Sequence, residues 1–201
     1  MSTNFLSRVY RAQSPDQVRS LYDDWAASYE SEISQNGYAT PGRCAEALAG
    51  LGTDLTRPVL DFGCGTGLSG LALKLAGFSV IDGRDLSQGM IAKAGDKGVY
   101  RNLATIGPDD AIPTGYNAIA AIGVVSPGAA PLPVLDRLIG ALEPGGRIVF
   151  SFNDHALEHA DYRSKVDDLT AAGGVRELFR EHGPHLPGIN LQSTVYVLEK
   201  T

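Results

Sequence analysis

Disulfide and metal chemistry have little to work with in this chain. Its 201 residues include two cysteines, Cys44 and Cys64, too few for a disulfide framework and at no CxxC spacing. A reducing, cytoplasmic setting is the expectation. Long apolar runs are also missing: the longest, 118–125, has eight residues, against the ~20 a membrane helix needs. Residues 1–8 have no apolar stretch followed by a small-residue cleavage site, so no targeting leader is expected. Basic charge is in deficit, with 17 Lys+Arg against 23 Asp+Glu and a net charge of −6. That balance argues against nucleic acid or an anionic membrane as the partner. Histidine is scarce and confined to the last third, as His155, His159, His182 and His185. There are no repeats and no low-complexity segments.

What is present is glycine. Its 24 copies make about 12% of the chain, against a usual ~7%. With 43% hydrophobic and 20% charged residues, the chain reads as one globular domain large enough to need no metal or disulfide support.

Residues 1–14 are polar and expected to be loose. Ser14-Pro15-Asp16 is a helix start, with Ser as cap and Pro in the first turn. From there Val18, Leu21, Tyr22, Trp25, Ala26 and Tyr29 recur at helical steps, predicting one helix with an aromatic face. Asn36-Gly37 and Pro41-Gly42 bracket a turn, and a second helix through Cys44, Ala45 and Leu48 stops at Gly50. The texture changes after Arg57-Pro58. Short apolar strands are predicted at 59–62, 78–81 (ending near 82–85), 99–106, 117–124 and 147–152, with helices between them and a polar helix over 154–172. Two strand-like stretches, 175–180 and 193–199, close the chain. Alternation of strands and helices predicts a parallel α/β sheet with an antiparallel hairpin at one edge. The expected organisation is a helical cap or lid over 1–56 and an α/β core over 57–201.

The segment Asp61-Phe62-Gly63-Cys64-Gly65-Thr66-Gly67 joins a strand to a helix. Glycines there let a ligand approach bare backbone and the N–H groups of a helix start. Two cofactors compete for it. Gly65-Thr66-Gly67-Leu68-Ser69-Gly70 satisfies the dinucleotide pattern GxGxxG. Asp61, however, lies two residues before the first glycine, and a carboxylate there suits a cationic amino-acid ligand better than a pyrophosphate. Asp85, in Asp85-Leu86-Ser87 after the second strand, is suited to the hydroxyls of a ribose and fits either cofactor. Asp82 is a rival, but Asp82-Gly83 reads as a turn.

Val59-Leu60-Asp61-Phe62-Gly63-Cys64-Gly65-Thr66-Gly67-Leu68 resembles motif I of the class I S-adenosylmethionine (SAM) dependent methyltransferases. Asp85-Leu86-Ser87-Gln88-Gly89-Met90 resembles the family's D-L-S-x-x-M, and Leu142-Glu143-Pro144-Gly145-Gly146-Arg147 its L-x-P-G-G. More narrowly, Tyr22-Asp23-x-Trp25-Ala26-x-x-Tyr29 and Lys97-Gly98-Val99-Tyr100 resemble the small methyltransferase-like proteins of the Williams–Beuren region.

The resemblance implies a Rossmann-like methyltransferase fold, with a seven-stranded, mostly parallel sheet of order 3-2-1-4-5-7-6. It further implies SAM as cofactor, S-adenosylhomocysteine (SAH) as its product and no metal. Asp61, Gly63, Cys64 and Gly65 would then hold the methionine part, with Gly67 keeping the helix close. Asp85 would hold the ribose, Leu86 and Met90 would pack on adenine, and Gly123 would pass the methyl group. Tyr22, Trp25 and Tyr29 would form a lid, although a helix face packed on the domain explains them too. The acid that the family places after its third strand is replaced here by Ile106-Gly107-Pro108, leaving the adenine amino group to Asp109 or to backbone near Ile106.

Substrate-class residues after the fourth strand are absent from Val125-Ser126-Pro127-Gly128. No catalytic base is assigned. In the polar cluster Asn153-Asp154-His155, Asp154 is expected to cap a helix and His155 to lie on the surface. The expected partner is a small-molecule methyl acceptor, with the chain a monomer or homodimer. A SAM-binding regulator without turnover and an NAD(P)-dependent oxidoreductase remain as alternatives.

Overall fold

The computed structural model describes residues 14–26 and 28–201. The polar stretch expected to be loose at the amino terminus falls, apart from Ser14, outside them. Three helices open the described chain: α1 (Pro15–Trp25), α2 (Tyr29–Gln35) and α3 (Thr40–Gly50). The Ser14 side chain accepts from Gln17 N–H as expected of a cap. The single aromatic helix expected here is instead two. It breaks after Trp25, so Tyr29 opens α2. Pro41-Gly42, read as a turn, lies in the first turn of α3, where proline's missing N–H costs nothing.

Seven strands then form one sheet: β1 (Val59–Phe62), β2 (Ile81–Asp85), β3 (Asn102–Thr105), β4 (Ala118–Ala121), β5 (Arg147–Asn153), β6 (Val175–Leu186) and β7 (Leu191–Lys200). Their order, β3-β2-β1-β4-β5-β7-β6, is the one expected. β7 runs antiparallel to both neighbours and every other pairing is parallel. The intervening helices are α4 (Leu68–Leu75), α5 (Gln88–Gly95), α6 (Pro133–Ala141), α7 (Asp154–Leu157) and α8 (Ala160–Ala171).

Several boundaries differ from expectation. The second strand, expected over 78–81 with its end near 82–85, begins only at Ile81 and does end at Asp85, so Asp82 and Gly83, expected as a turn, are ladder residues paired to Leu60 and Asp61. Asp82 is tolerated there because Arg101 Nε and Tyr116 OH both donate to it at 2.9 Å. The polar helix of 154–172 is divided at 158–159, and Asn153, not Asp154, caps α7 by accepting from Ala156 N–H. β6 and β7 are longer than predicted.

The sheet buries both faces. Leu60, Ile119, Phe150 and Phe152 pack with Leu135 and Leu138 of α6 on one side. Val59, Ile81, Val149 and Val197 pack with Leu48 of α3 and Leu73 of α4 on the other. A smaller cluster joins Leu21, Trp25 and Ile33 of the first two helices to Leu186. Polar clasps fix these helices over the end of the sheet. Asp23 Oδ1 accepts from the Ser87 hydroxyl and, at 3.0 Å, from Gly89 N–H. Lys97 pairs with Glu30 at 2.6 Å.

Candidate functional site

β1 delivers Asp61 to the carboxyl end of the sheet, and the chain then turns through Gly63, Gly65 and Gly67 with φ of 69°, 52° and 92°. These values are strained for residues with a Cβ. A Cβ on Gly63 would also sit 2.4 Å from Val124 Cγ2. The loop is therefore bare backbone by necessity.

Asp61 has no exposed surface. The Ser69 hydroxyl and Tyr100 OH each donate to its Oδ2 at 2.7 Å. Its Oδ1 is buried with no partner among the described residues. Burial pushes this carboxyl up to about 6, against the pull of those two donors. An orphaned carboxylate oxygen in a desolvated wall is a receptor for a cation. Asp85 closes β2 beside it. Gly65 N–H donates to Asp85 Oδ2 at 2.8 Å, and Ser87 N–H to Oδ1 at 2.9 Å. Each oxygen keeps a further lone pair, so the carboxylate can accept a hydroxyl pair while its orientation stays fixed.

Three adjoining spaces open here. One of about 530 Å³ is walled by Gly63, Gly65, Asp85, Ile122, Gly123 and residues of α1. A smaller one of about 260 Å³ lies against Cys64, Gly65, Thr66, Ser69, Tyr38 and Pro41. The third, about 600 Å³, is lined by Tyr22, Trp25, Tyr29, Tyr38, Ser151, Asn153, His185 and four neighbours, with Gly123 at its junction with the first. Tyr29 borders all three. No Asp, Glu, Lys or Arg lines the third.

Most residues singled out from the sequence meet here. Asp61 stands behind the glycine loop, and Gly63, Cys64, Gly65, Asp85, Gly123, Tyr22, Trp25 and Tyr29 all border one or more spaces. Asp61, Gly67, Leu86, Met90 and Ile106 border none of the three; Asp61 and Met90 are fully buried. Gly67 packs instead against Ala94, Lys97 and Tyr100. The Cys64 thiol, raised by burial, is no nucleophile. Asp109 is exposed, while its neighbour Asp110 accepts from Gly107 N–H at 2.7 Å. His155 is half exposed and Asp154 pairs with His182 at 2.9 Å.

Four contributors were not foreseen as site residues: Ser69, Tyr100, Tyr38 and His185. A signal for Tyr100 existed in the third glycine of GxGxxG. A Cβ on Gly70 would lie 2.2 Å from Tyr100 OH, so that glycine makes room for the ring that holds Asp61. Among the described residues no group of three or more His, Cys, Asp or Glu is arranged for a metal ion. No helix there is long and apolar enough to cross a membrane.

This sheet order, with a glycine loop after β1 and an acid ending β2, defines the fold of the class I SAM-dependent methyltransferases. The chain belongs to the methyltransferase-domain family, which it matches over residues 37–191. It is 29% identical over 170 residues to human methyltransferase-like protein 27, covering 79% of this chain and 69% of that one. It is 30% identical over 177 residues to the ribosomal protein L11 methyltransferase of Aliivibrio salmonicida, but spans only 57% of that protein's length and 84% of its own. Among solved structures, magnesium protoporphyrin IX methyltransferase from Synechocystis, determined with bound SAM, superposes with a TM-score of 0.61 at 16% identity. That match covers 100% of this chain and 92% of that one.

Proposed function

We propose that this methyltransferase binds SAM along the glycine loop and transfers its methyl group to a small-molecule acceptor held in the third space. SAM supplies, when bound, a methyl group activated by a sulfonium centre. Asp61, ionised above about pH 6, receives the cationic amino group through its free Oδ1. Asp85 accepts the ribose hydroxyls, and bare backbone at Gly63 and Gly65 lets the ligand lie close. Tyr22, Trp25 and Tyr29 act as the lid. They wall the methyl-transfer region from water and narrow the approach of the acceptor. Orientation and proximity carry the remaining work, since alignment alone is worth several kcal/mol, roughly 7–11 in well-oriented systems.

The observation that carries the SAM reading is the unpartnered Asp61 oxygen beside the glycine loop. A dinucleotide pyrophosphate would be repelled by it. The small-molecule acceptor rests on the third space, an aromatic chamber of about 600 Å³ without a charged side chain. The relatives include enzymes named for a protein substrate. An amine acceptor on such a substrate arrives as a cation, and the chamber lacks a carboxylate to receive it.

SAH titrated by calorimetry should bind with micromolar affinity and fail to bind Asp61→Ala and Gly65→Val. A thermal-shift comparison should favour SAM over NADH. Protein incubated with methyl-labelled SAM and a cell extract should label the low-mass fraction. Label confined to macromolecules would overturn the acceptor class, and saturable SAH binding with no labelled product would leave a SAM-binding regulator.

A further inference from the structure

His185 is the one histidine buried in the third space, 8% exposed, on a strand the glycine loop does not involve. Three features set its position. The pairing of β6 with β7 slips between Pro184 and Leu186, so His185 is the extra residue of a β-bulge, a device that re-aims a side chain. Ala39 N–H donates to its carbonyl at 3.0 Å, which ties the bulge to the start of α3. The Tyr38 ring stands edge-on to the imidazole, centroids 5.2 Å apart.

A hydrogen-bond chain fixes the ring's protons. Arg43 can only donate, and it donates to Ser193 Oγ at 3.3 Å and to the Ser193 and Pro184 carbonyls at 3.1 and 3.0 Å. Ser193 Oγ lies 3.0 Å from Thr40 Oγ1, which lies 2.8 Å from His185 Nδ1. Among the described residues the Ser193 hydrogen has no other acceptor than Thr40, so the Thr40 hydrogen goes to Nδ1. Nε2 then carries the ring's hydrogen and has no hydrogen-bond partner among the described residues. Burial, with Arg43 nearby, brings the imidazole down to about 4, so the ring is neutral at physiological pH.

We propose that His185 binds the methyl acceptor as a neutral donor, presenting Nε2–H to an oxygen of a flat, uncharged, aromatic-class molecule. Tyr38 and Tyr29 line the same chamber, and neither hydroxyl makes a hydrogen bond among the described residues. With Trp25 and Tyr22 they offer ring faces and polar edges together. The assignment names the substrate class within the methyltransferase reading above and rests on it. It makes His185 a binding residue and gives it no part in removing a proton. Thr40, Ser193 and Arg43 are positioning residues that act through it.

Two measurements on the SAH-loaded protein test this. Long-range nitrogen–proton NMR near neutral pH should show Nδ1 of His185 unprotonated and Nε2 protonated, with His185→Gln identifying the signal. The opposite tautomer or an imidazolium overturns the assignment. Ligand-observed NMR with 4-hydroxyacetophenone as probe, and benzylamine as its cationic counterpart, reads the chamber. The ketone should bind and the amine should not. His185→Leu should weaken the ketone by about tenfold, the weight of one hydrogen bond, and His185→Gln, whose amide reaches the Nε2 position, should restore it. A ketone that does not bind, or binds the leucine variant equally, overturns the proposal. SAH titration separates the two readings: failure of the wild-type protein to bind SAH refutes the methyltransferase reading, whereas normal SAH binding with a null probe result refutes the role of His185 alone.

Discussion

Asp61→Asn should separate what the carboxylate does for the ligand from what it does to the fold. In the free protein the folded-state pKa is raised from 3.8 to about 6. Between those values the native state holds a proton that the unfolded chain has released. The stabilisation is therefore complete below 3.8 and drains away as the pH rises through 6. At ~1.4 kcal/mol per pH unit, about 2 kcal/mol is lost between pH 4.5 and 7.5. Asparagine cannot ionise, so the variant escapes this loss. Its buried amide nitrogen replaces the unpartnered oxygen, which adds a constant offset of ~1–3 kcal/mol against it. The offset cancels when the two pH values are compared. The difference in melting temperature, variant minus wild type, should rise by roughly 4–8 °C from pH 4.5 to 7.5, at ~2–4 °C per kcal/mol for a chain this size. SAH affinity near neutral pH should fall by roughly 10–100-fold, the value of a charge-assisted hydrogen bond. A melting difference that ignores pH would refute the burial argument, and unchanged SAH affinity would refute the placement of the amino group.

Gly70→Ala, in the first turn of α4, would ordinarily add up to ~1 kcal/mol of stability. Here the new methyl meets Tyr100 OH at 2.2 Å, so a net loss of ~1–3 kcal/mol is expected by urea unfolding; a gain would refute the packing. Asp23→Ala removes the acceptor shared by the Ser87 hydroxyl and Gly89 N–H. Hydrogen exchange should quicken in α1 and not in β1, and SAH binding should weaken severalfold. Uniform exchange across the chain would show that the clasp is not local.

The glycine loop and the acid after β2 were legible because their chemistry is local: a strand, a tight turn and a helix start sit within one stretch of sequence. The strand order came with the family likeness, since nothing in 175–200 says which neighbours those residues choose. Where the reading failed, polar residues were doing strand work. Ile81-Asp82-Gly83-Arg84-Asp85 has the composition of a turn, yet it is held on both sides by β1 and β3, and Asp82 is matched by partners from outside its own segment. The outer half of β6 carries Arg176, Glu177, Arg180 and Glu181, whose charges mask a long hairpin. Helical spacing of aromatics continued across 26–28 because α1 and α2 press the same kind of side chain toward one body. Gly70 marks room for a ring, but which ring fills it, and what His185 bonds to, were out of reach for a single reason. Tyr100 and His185 act across 39 and 145 residues respectively, on Asp61 and Thr40, and no local pattern encodes such a contact.

Tyr22, Trp25, Tyr29 and Ile33 wall the third space, yet all four precede residue 37, where the match to the methyltransferase-domain family begins. The glycine loop and both acids lie well inside that match. The inner wall of the third space is thus completed by helices the family match leaves out, while Tyr38, Ser151, Asn153 and His185 of the same space lie within it. Exchanging α1 and α2 between relatives should therefore shift acceptor preference, and because α1 also walls the first space and holds Ser87 and Gly89 through Asp23, SAH affinity should shift with it.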